Sequence, residues 1–468
     1  MSRLSFGTKV SYAMGALADG SCYVLFYSFF MYFLTDIALV NPLWAGSVTL
    51  IVILWDAVTD PIVGYLSDRS RSSKGRRRPF ILFGIFPWVA TLTLVFTSVN
   101  LSPVLQFAYY VVMAMAFWTS YTIVDVPYKA LGAELTKDYT ERSQIRLFAQ
   151  VASGSGVIIG SAGTMALVGF FMNRGVTVNA SWSFTAFAFG LIAFLAYFLT
   201  WYFTKGKEPK ILEESEKSIN REPIFQTYIG ILTKVKPYKW IILIILSFMV
   251  GNSMFGSGIV YGAIYLASFS TPDISLMFLI GGIIGLVYTP ILARMALKFD
   301  KKHVLIFALA TSTLGLFLFR FVGLDNWTSI IAYFVFYELC NFGFWGLIWA
   351  LVYDLSEVDE LITGCRREGS ITALASFIQK CGSAFAMWII GVTLSVSGYD
   401  ATAATQSDQA LEGILNMCTL YPGIFTALSL LFLAIYPMNK KVYQLVCKAL
   451  DEKKSGLNYD KTGLERLL

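Results

Sequence analysis

Apolar residues run through this chain in stretches too long and too unbroken for a soluble fold. Twelve runs lie near 11–35, 43–66, 80–98, 104–132, 144–172, 181–204, 240–268, 274–297, 304–322, 327–353, 370–397 and 412–436. Each comes close to the roughly 20 residues a helix needs to cross a ~30 Å hydrocarbon core. The polar intervals are short, with one exception. The segment 205–238, with Lys205, Lys207, Glu208, Lys210, Glu213, Glu214, Glu216 and Lys217, divides the runs six and six. The pattern predicts an all-α membrane protein of twelve transmembrane helices: a six-helix bundle at 1–204, a cytoplasmic linker at 205–238, a second six-helix bundle at 239–436 and a cytoplasmic tail at 437–468.

Composition agrees. Of 468 residues 56% are hydrophobic and 14% charged, against roughly 25% charged in soluble domains. Much of the surface therefore faces something other than water, and the lipid bilayer is the expected partner. The 38 Phe, 25 Tyr and 11 Trp also suit the aromatic belts at the two headgroup layers.

Charge placement gives the orientation. If both termini are cytoplasmic, the external loops hold only Arg174 and Arg320 of the 36 basic residues. Lys129 and Lys380 fall within or at the ends of spans, and the other basic residues lie on the cytoplasmic side, as the positive-inside rule requires. An integral, multi-pass protein of the plasma (inner) membrane is expected. The net charge of +6 does not point to nucleic acid, because the basic residues are scattered over short loops. Arg69, Arg71, Lys74, Arg76, Arg77 and Arg78, between two spans, read as cytoplasmic anchoring. Cys22, Cys340, Cys365, Cys381, Cys418 and Cys447 lack metal or disulfide spacing and read as small packing residues. The N-terminus carries no recognisable cleavable signal, its first apolar stretch being interrupted by Asp19.

The two halves echo one another. Phe117-Trp118 precedes Asp125 in the fourth span, and Phe344-Trp345 precedes Asp354 in the tenth. Each is followed by a polar loop with an Arg-containing stretch, Glu141-Arg142-Ser143 and Arg367-Glu368-Gly369-Ser370. Paired six-helix halves suggest a carrier whose substrate sits between them.

Ionisable groups within spans cost roughly 2.5–3.5 kcal/mol each on the insertion scale, so they need partners or a wet cavity. Asp19, Asp56, Asp60, Asp125, Lys129, Glu338 and Lys380 stand there, with Arg146 near the start of the fifth span. Asp56 and Asp60, spaced i, i+4, share one helix face. With the Thr59 hydroxyl beside them, they read as part of an oxygen cage for a small cation, whose charge relieves their repulsion. A protonated Asp, or one paired with a base on another helix, is the alternative. Asp125 and Lys129, also i, i+4, read either as an intrahelical ion pair or as substrate contacts, and Pro127 between them frees a carbonyl. Glu338 is either a protonated structural acid or a second proton or substrate site.

Other chemistries find no support. The lone His303 sits in a basic cytoplasmic loop, which excludes a histidine relay in the membrane. Gly154-Ser155-Gly156 lacks a following Lys and reads as a close helix contact. Neither a nucleotide-binding signature nor a hydrolytic triad is present, so the chain is not expected to be an enzyme or to hold a cofactor. An ion gradient is left as the energy source.

Trp55-Asp56-Ala57-Val58-Thr59-Asp60-Pro61 resembles the second-helix cation motif of the glycoside–pentoside–hexuronide:cation symporters, the family that includes the melibiose permease. Gly64-Tyr65-Leu66-Ser67-Asp68-Arg69, running to Gly75-Arg76-Arg77-Arg78-Pro79, resembles the loop between helices two and three of the wider major facilitator fold. Tyr121-Thr122-Ile123-Val124-Asp125-Val126-Pro127, Ala130-Leu131-Gly132-Ala133-Glu134-Leu135 and Lys380-Cys381-Gly382-Ser383-Ala384-Phe385 extend the likeness over nearly the whole chain, from Tyr12-Ala13-Met14-Gly15 onward.

The resemblance implies two pseudo-symmetric bundles of major facilitator type and a coupling cation, Na⁺, Li⁺ or H⁺, at Asp56, Asp60 and Thr122, with Thr59 in place of a family Asn. It implies sugar contacts at Asp19, Tyr121, Asp125, Arg146 and Trp345, with Lys380 near both sites. Carboxylates and Arg suit sugar hydroxyls, and an indole offers a stacking face. Two departures stand out: Ala18 replaces a Lys of melibiose-type members, and Lys129 replaces a sugar-lining Trp. An added cation there suits an anionic hexuronide or glucuronide. The expected function is cation-coupled uptake of a sugar or glycoside by alternating access, each chain working as a monomer. A lysophospholipid carrier of the same fold is the alternative, and a non-transporting membrane sensor a more distant one.

Overall fold

A computed structural model describes residues 4–68, 70, 72, 75–136, 138–206, 224–364, 367–403, 405–455, 462–465 and 467. Arg69, Arg71, Lys74, Cys365 and the linker acids and lysines from Lys207 to Lys217 lie outside them. The described residues form helices throughout. These are α1 (Phe6–Tyr32), α2 (Pro42–Asp68), α3 (Arg78–Val95), α4 (Pro103–Glu134), α5 (Tyr139–Met172), α6 (Val178–Phe203), α7 (Ile224–Lys234) and α8 (Tyr238–Tyr261). There follow α9 (Thr271–Lys298), α10 (Lys301–Val322), α11 (Trp327–Thr363), α12 (Glu368–Val396), α13 (Asp408–Cys418), α14 (Leu420–Ile435) and α15 (Lys440–Lys454). Twelve helical spans among the described residues are long and apolar enough to cross a membrane, α13 and α14 together making the last.

Two compact units emerge. The first holds residues 1–216, 256–282 and 387–414, so α1–α6 are joined by the C-terminal ends of α8 and α12 and the N-terminal half of α9. The second holds 217–255, 283–386 and 415–468.

In the first unit α1 packs along α5 and α6. A Cβ on Gly156 would overlap the Leu17 carbonyl, one on Gly160 would overlap that of Ser21, and one on Gly20 would overlap that of Ser153. Small residues four apart let the two backbones touch, which is how helices associate where lipid offers no hydrophobic drive. The expected helix contact therefore rests on Gly156; Gly154 faces open space.

Both α1 and α8 end in a π-turn, Phe33–Ile37 and Gly262–Leu266. After each, an alanine amide (Ala38, Ala267) donates to the first carbonyl of the turn, at 2.9 and 3.1 Å. Two residues further on, Val40 and Phe269 donate to the second carbonyl, both at 2.8 Å. Leu39 and Ser268 take the same left-handed backbone, φ 55° and 54°, a rare conformation for residues with a Cβ. The equivalence is structural; the sequences FLTDIALV and GAIYLASF share almost nothing.

The structure adds detail at three places. Arg77 and Arg78, in the basic loop read as cytoplasmic anchoring, are buried. Arg76 and Arg77 pair with Glu134, Arg77 donates to Ser67 Oγ at 2.7 Å, and Arg78 donates to the Trp201 carbonyl at 2.7 and 3.0 Å. The polar linker ends in the amphipathic α7. Tyr228, Ile231 and Val235, on one helical stripe, pack into the core of the second unit. In the tail, α15 buries Val446, Ala449 and Leu450. Lys454 pairs with Glu360 at 2.7 Å, and Lys453 donates to the Leu361 carbonyl at 2.6 Å.

Candidate functional site

One face of α4 organises the polar interior of the first unit. Trp118, Tyr121, Thr122, Asp125 and Lys129 follow i, i+3, i+4, i+7 and i+11 spacing and so share a helical stripe. Thr122 meets the acids of α2: its hydroxyl lies 3.0 Å from Asp56 Oδ1 and 3.1 Å from Asp60 Oδ1. Asp56 and Thr122 are fully buried. A threonine hydroxyl has one proton to donate, and here both carboxylates lie within its reach. Two neighbouring carboxylates favour positive charge beside them. Thr59 is buried one turn away, its hydroxyl donating to the Asp56 carbonyl at 3.1 Å.

Further along the stripe, the Tyr121 hydroxyl donates to Asp19 Oδ1 on α1. Lys129 Nζ lies 2.6 Å from Asp125 Oδ2, which realises the intrahelical pair. The pair is lopsided. Asp125 is buried, and its Oδ1 has no hydrogen-bond partner, whereas the Lys129 side chain is 61% exposed. Arg146 stands exposed on α5.

Aromatic rings enclose the group. Trp118 meets Tyr121 edge-on at 5.0 Å and packs against Phe26, Tyr23 and Tyr27 of α1. Trp88 of α3 lies 5.2 Å from both Tyr121 and Tyr197. The Trp88 and Trp118 indole nitrogens and the Tyr197 hydroxyl are buried without a hydrogen-bond partner. In the sequence Trp118 stands out only in the Phe-Trp echo and Tyr121 only through the family resemblance, while Trp88, Tyr197 and the α1 rings read as packing. Their only signal is helical spacing from residues that carry charge.

The remaining candidates belong to the second unit. Trp345 packs half-buried beside Phe344, whose ring stacks on Phe248 at 3.5 Å. The Phe-Trp echo is therefore partial: Trp118 is fully buried and Trp345 is not. Lys380 lies half-buried on α12. Glu338 is buried on α11 and accepts from Asn341 Nδ2 at 2.9 Å. Among the described residues no cluster of three or more His, Cys, Asp or Glu suits a metal ion.

Twelve helical spans long and apolar enough to cross a membrane, with buried acids gathered on α1, α2 and α4, suit a transporter. The chain belongs to the MFS/sugar transport protein family, whose family model matches residues 11–440. It is 28% identical over 453 residues to an uncharacterized symporter, YnaJ, of Bacillus subtilis (strain 168), with 96% of each chain covered. It is 25% identical over 471 residues to a glucuronide carrier protein homolog of Escherichia coli (strain K12), with 97% of each covered. Among solved structures it resembles the inward open xylose transporter XylE from E. coli, at a TM-score of 0.65 and 16% identity over 97% of this chain and 100% of that one. At that identity the likeness establishes the major facilitator fold alone. The protein is an integral, multi-pass transporter of that fold and not an enzyme.

Proposed function

We propose that the chain is a secondary active symporter that couples a monovalent cation to uptake of a sugar or glycoside. The observation that carries this reading is the Thr122 hydroxyl shared between Asp56 and Asp60. Two carboxylates and a hydroxyl gathered in this way suit Na⁺, Li⁺ or H⁺. Asp19, Tyr121 and Asp125 then receive sugar hydroxyls, with the unpartnered Asp125 Oδ1 as the open acceptor. Two groups beyond this cluster, Arg146 and the second-unit Trp345 and Lys380, complete the substrate contacts as the two six-helix halves, 1–204 and 239–436, alternate in access. Both termini are cytoplasmic, the membrane is the plasma (inner) membrane, and one chain suffices for transport.

Within this reading the substrate is anionic, a hexuronide or glucuronide. Support comes from the exposed Lys129 ammonium beside the buried Asp125 and from the glucuronide carrier homolog among the relatives. The test is an uptake screen in proteoliposomes that pairs neutral glycosides with their uronides and varies Na⁺, Li⁺ and pH. Cation-stimulated uptake of a uronide over its neutral counterpart is expected. Competition by lysophospholipid but by no glycoside would replace the sugar reading with the lipid one.

A further inference from the structure

We propose that Asp36, Tyr265 and Tyr399 form a latch that ties the end of α1 to the ends of α8 and α12, and that each transport cycle must open it. The second clause rests on the symport reading; the first does not. Asp36 lies in the π-turn that ends α1, and Tyr265 holds the equivalent place in the π-turn that ends α8, 229 residues on. The Tyr265 hydroxyl donates to Asp36 Oδ1. Tyr399, just past α12, donates to the same oxygen at 2.5 Å and lies 2.8 Å from the Tyr265 hydroxyl. Thr35 Oγ1 donates to Asp36 Oδ2 at 2.5 Å and accepts from the Tyr261 hydroxyl at 2.7 Å.

Among the described residues no Lys, Arg or His pairs with Asp36, so hydroxyls alone stabilise its charge. Burial, and then the neighbouring carboxylate, raise the Tyr399 phenol well above its ordinary value, so it remains a donor at any physiological pH. Hydrogen bonds to an ionised acceptor are roughly twice as strong as neutral ones. The π-turns matter because an extra residue per turn changes the side-chain register, by about 100° per residue. In both helices that change falls just before the residue that enters the cluster. Paired equivalent turns that bond to each other form a symmetric closure. In alternating access, helix ends from the two halves cannot stay bonded in both states.

Hydrogen–deuterium exchange on the full-length protein in lipid nanodiscs tests the latch without any substrate. Asp36→Ala and Tyr399→Phe should raise amide exchange in 33–40 and in 262–269 together, by roughly tenfold for charge-assisted bonds, and leave 304–316 in the second unit unchanged. Unchanged exchange, or a rise confined to 33–40, would overturn it. Should Asp36→Ala fail to fold, Tyr265→Phe removes one oxygen and answers the same question. The cycle is tested by uptake of p-nitrophenyl β-D-glucuronide into proteoliposomes. Tyr399→Phe should change the maximal rate several-fold while the half-saturating concentration stays put, and an unchanged rate in a variant whose exchange has risen would refute the cycle role. Absence of wild-type uptake would count against the symport reading alone.

Discussion

Lys129, with most of its side chain exposed, holds a buried carboxylate, its Nζ 2.6 Å from Asp125 Oδ2, while Asp125 Oδ1 stays unpartnered. The ion pair thus leaves one acceptor for a substrate hydroxyl and one exposed ammonium for a substrate anion. Lys129→Gln should lower the preference for a uronide over its neutral glycoside by about tenfold, equivalent to about 1.4 kcal/mol. Competitive uptake of the two measures the ratio. An unchanged preference removes Lys129 from substrate selection.

Thr122 offers a cleaner probe of the ion site than either acid. Thr122→Ala should weaken the apparent cation affinity roughly tenfold or more, the scale of a lost hydrogen bond to a charged group. Thr122→Ser keeps the oxygen and should stay near wild type. Cation titration of uptake separates the two, and equal affinities in the Ala and Ser variants would exclude a hydroxyl role.

Gly156 and Gly154 form a matched pair for stability. Gly156→Ala pushes a methyl into the Leu17 backbone and should destabilise by about 1–3 kcal/mol. Gly154→Ala meets no atom within 4 Å and should be neutral or slightly stabilising. Thermal unfolding in one detergent compares them, and equal midpoints would refute the α1–α5 contact.

Glu134 is the shared partner of Arg76 and the buried Arg77. Glu134→Ala removes the carboxylate that Arg76 and the buried Arg77 share and should destabilise by roughly 3–5 kcal/mol, the usual scale for breaking a buried pair. Expression and thermal stability should both fall, with Glu134→Gln less severe because its amide oxygen still accepts. A neutral Glu134→Ala would show that this pairing carries no stability.

The twelve spans were legible because lipid enforces length and composition on every helix, and the i, i+4 acids of α2 because helical spacing alone puts them on one face. Two features were not. Asp36 falls one residue past the span read as 11–35, and lies in the π-turn that carries the helix on to Ile37, against Tyr265 and Tyr399. The rings of Trp88, Trp118 and Tyr197 look like packing in any apolar run. Their relation to Tyr121 depends on how α3, α4 and α6 meet, which one-dimensional spacing does not encode. The helices α7 and α15 were hidden for a related reason. In both α7 and α15 the apolar stripe is too narrow to rise above the surrounding charge.

The coupling site itself is tested most directly by accumulation of a transported glycoside or uronide in proteoliposomes under an inward Na⁺, Li⁺ or proton gradient, with Asp60→Asn beside the wild type. The wild type should accumulate substrate only with a gradient. Asp60→Asn should insert and equilibrate substrate but lose cation-stimulated accumulation. Full stimulation in Asp60→Asn would contradict the site.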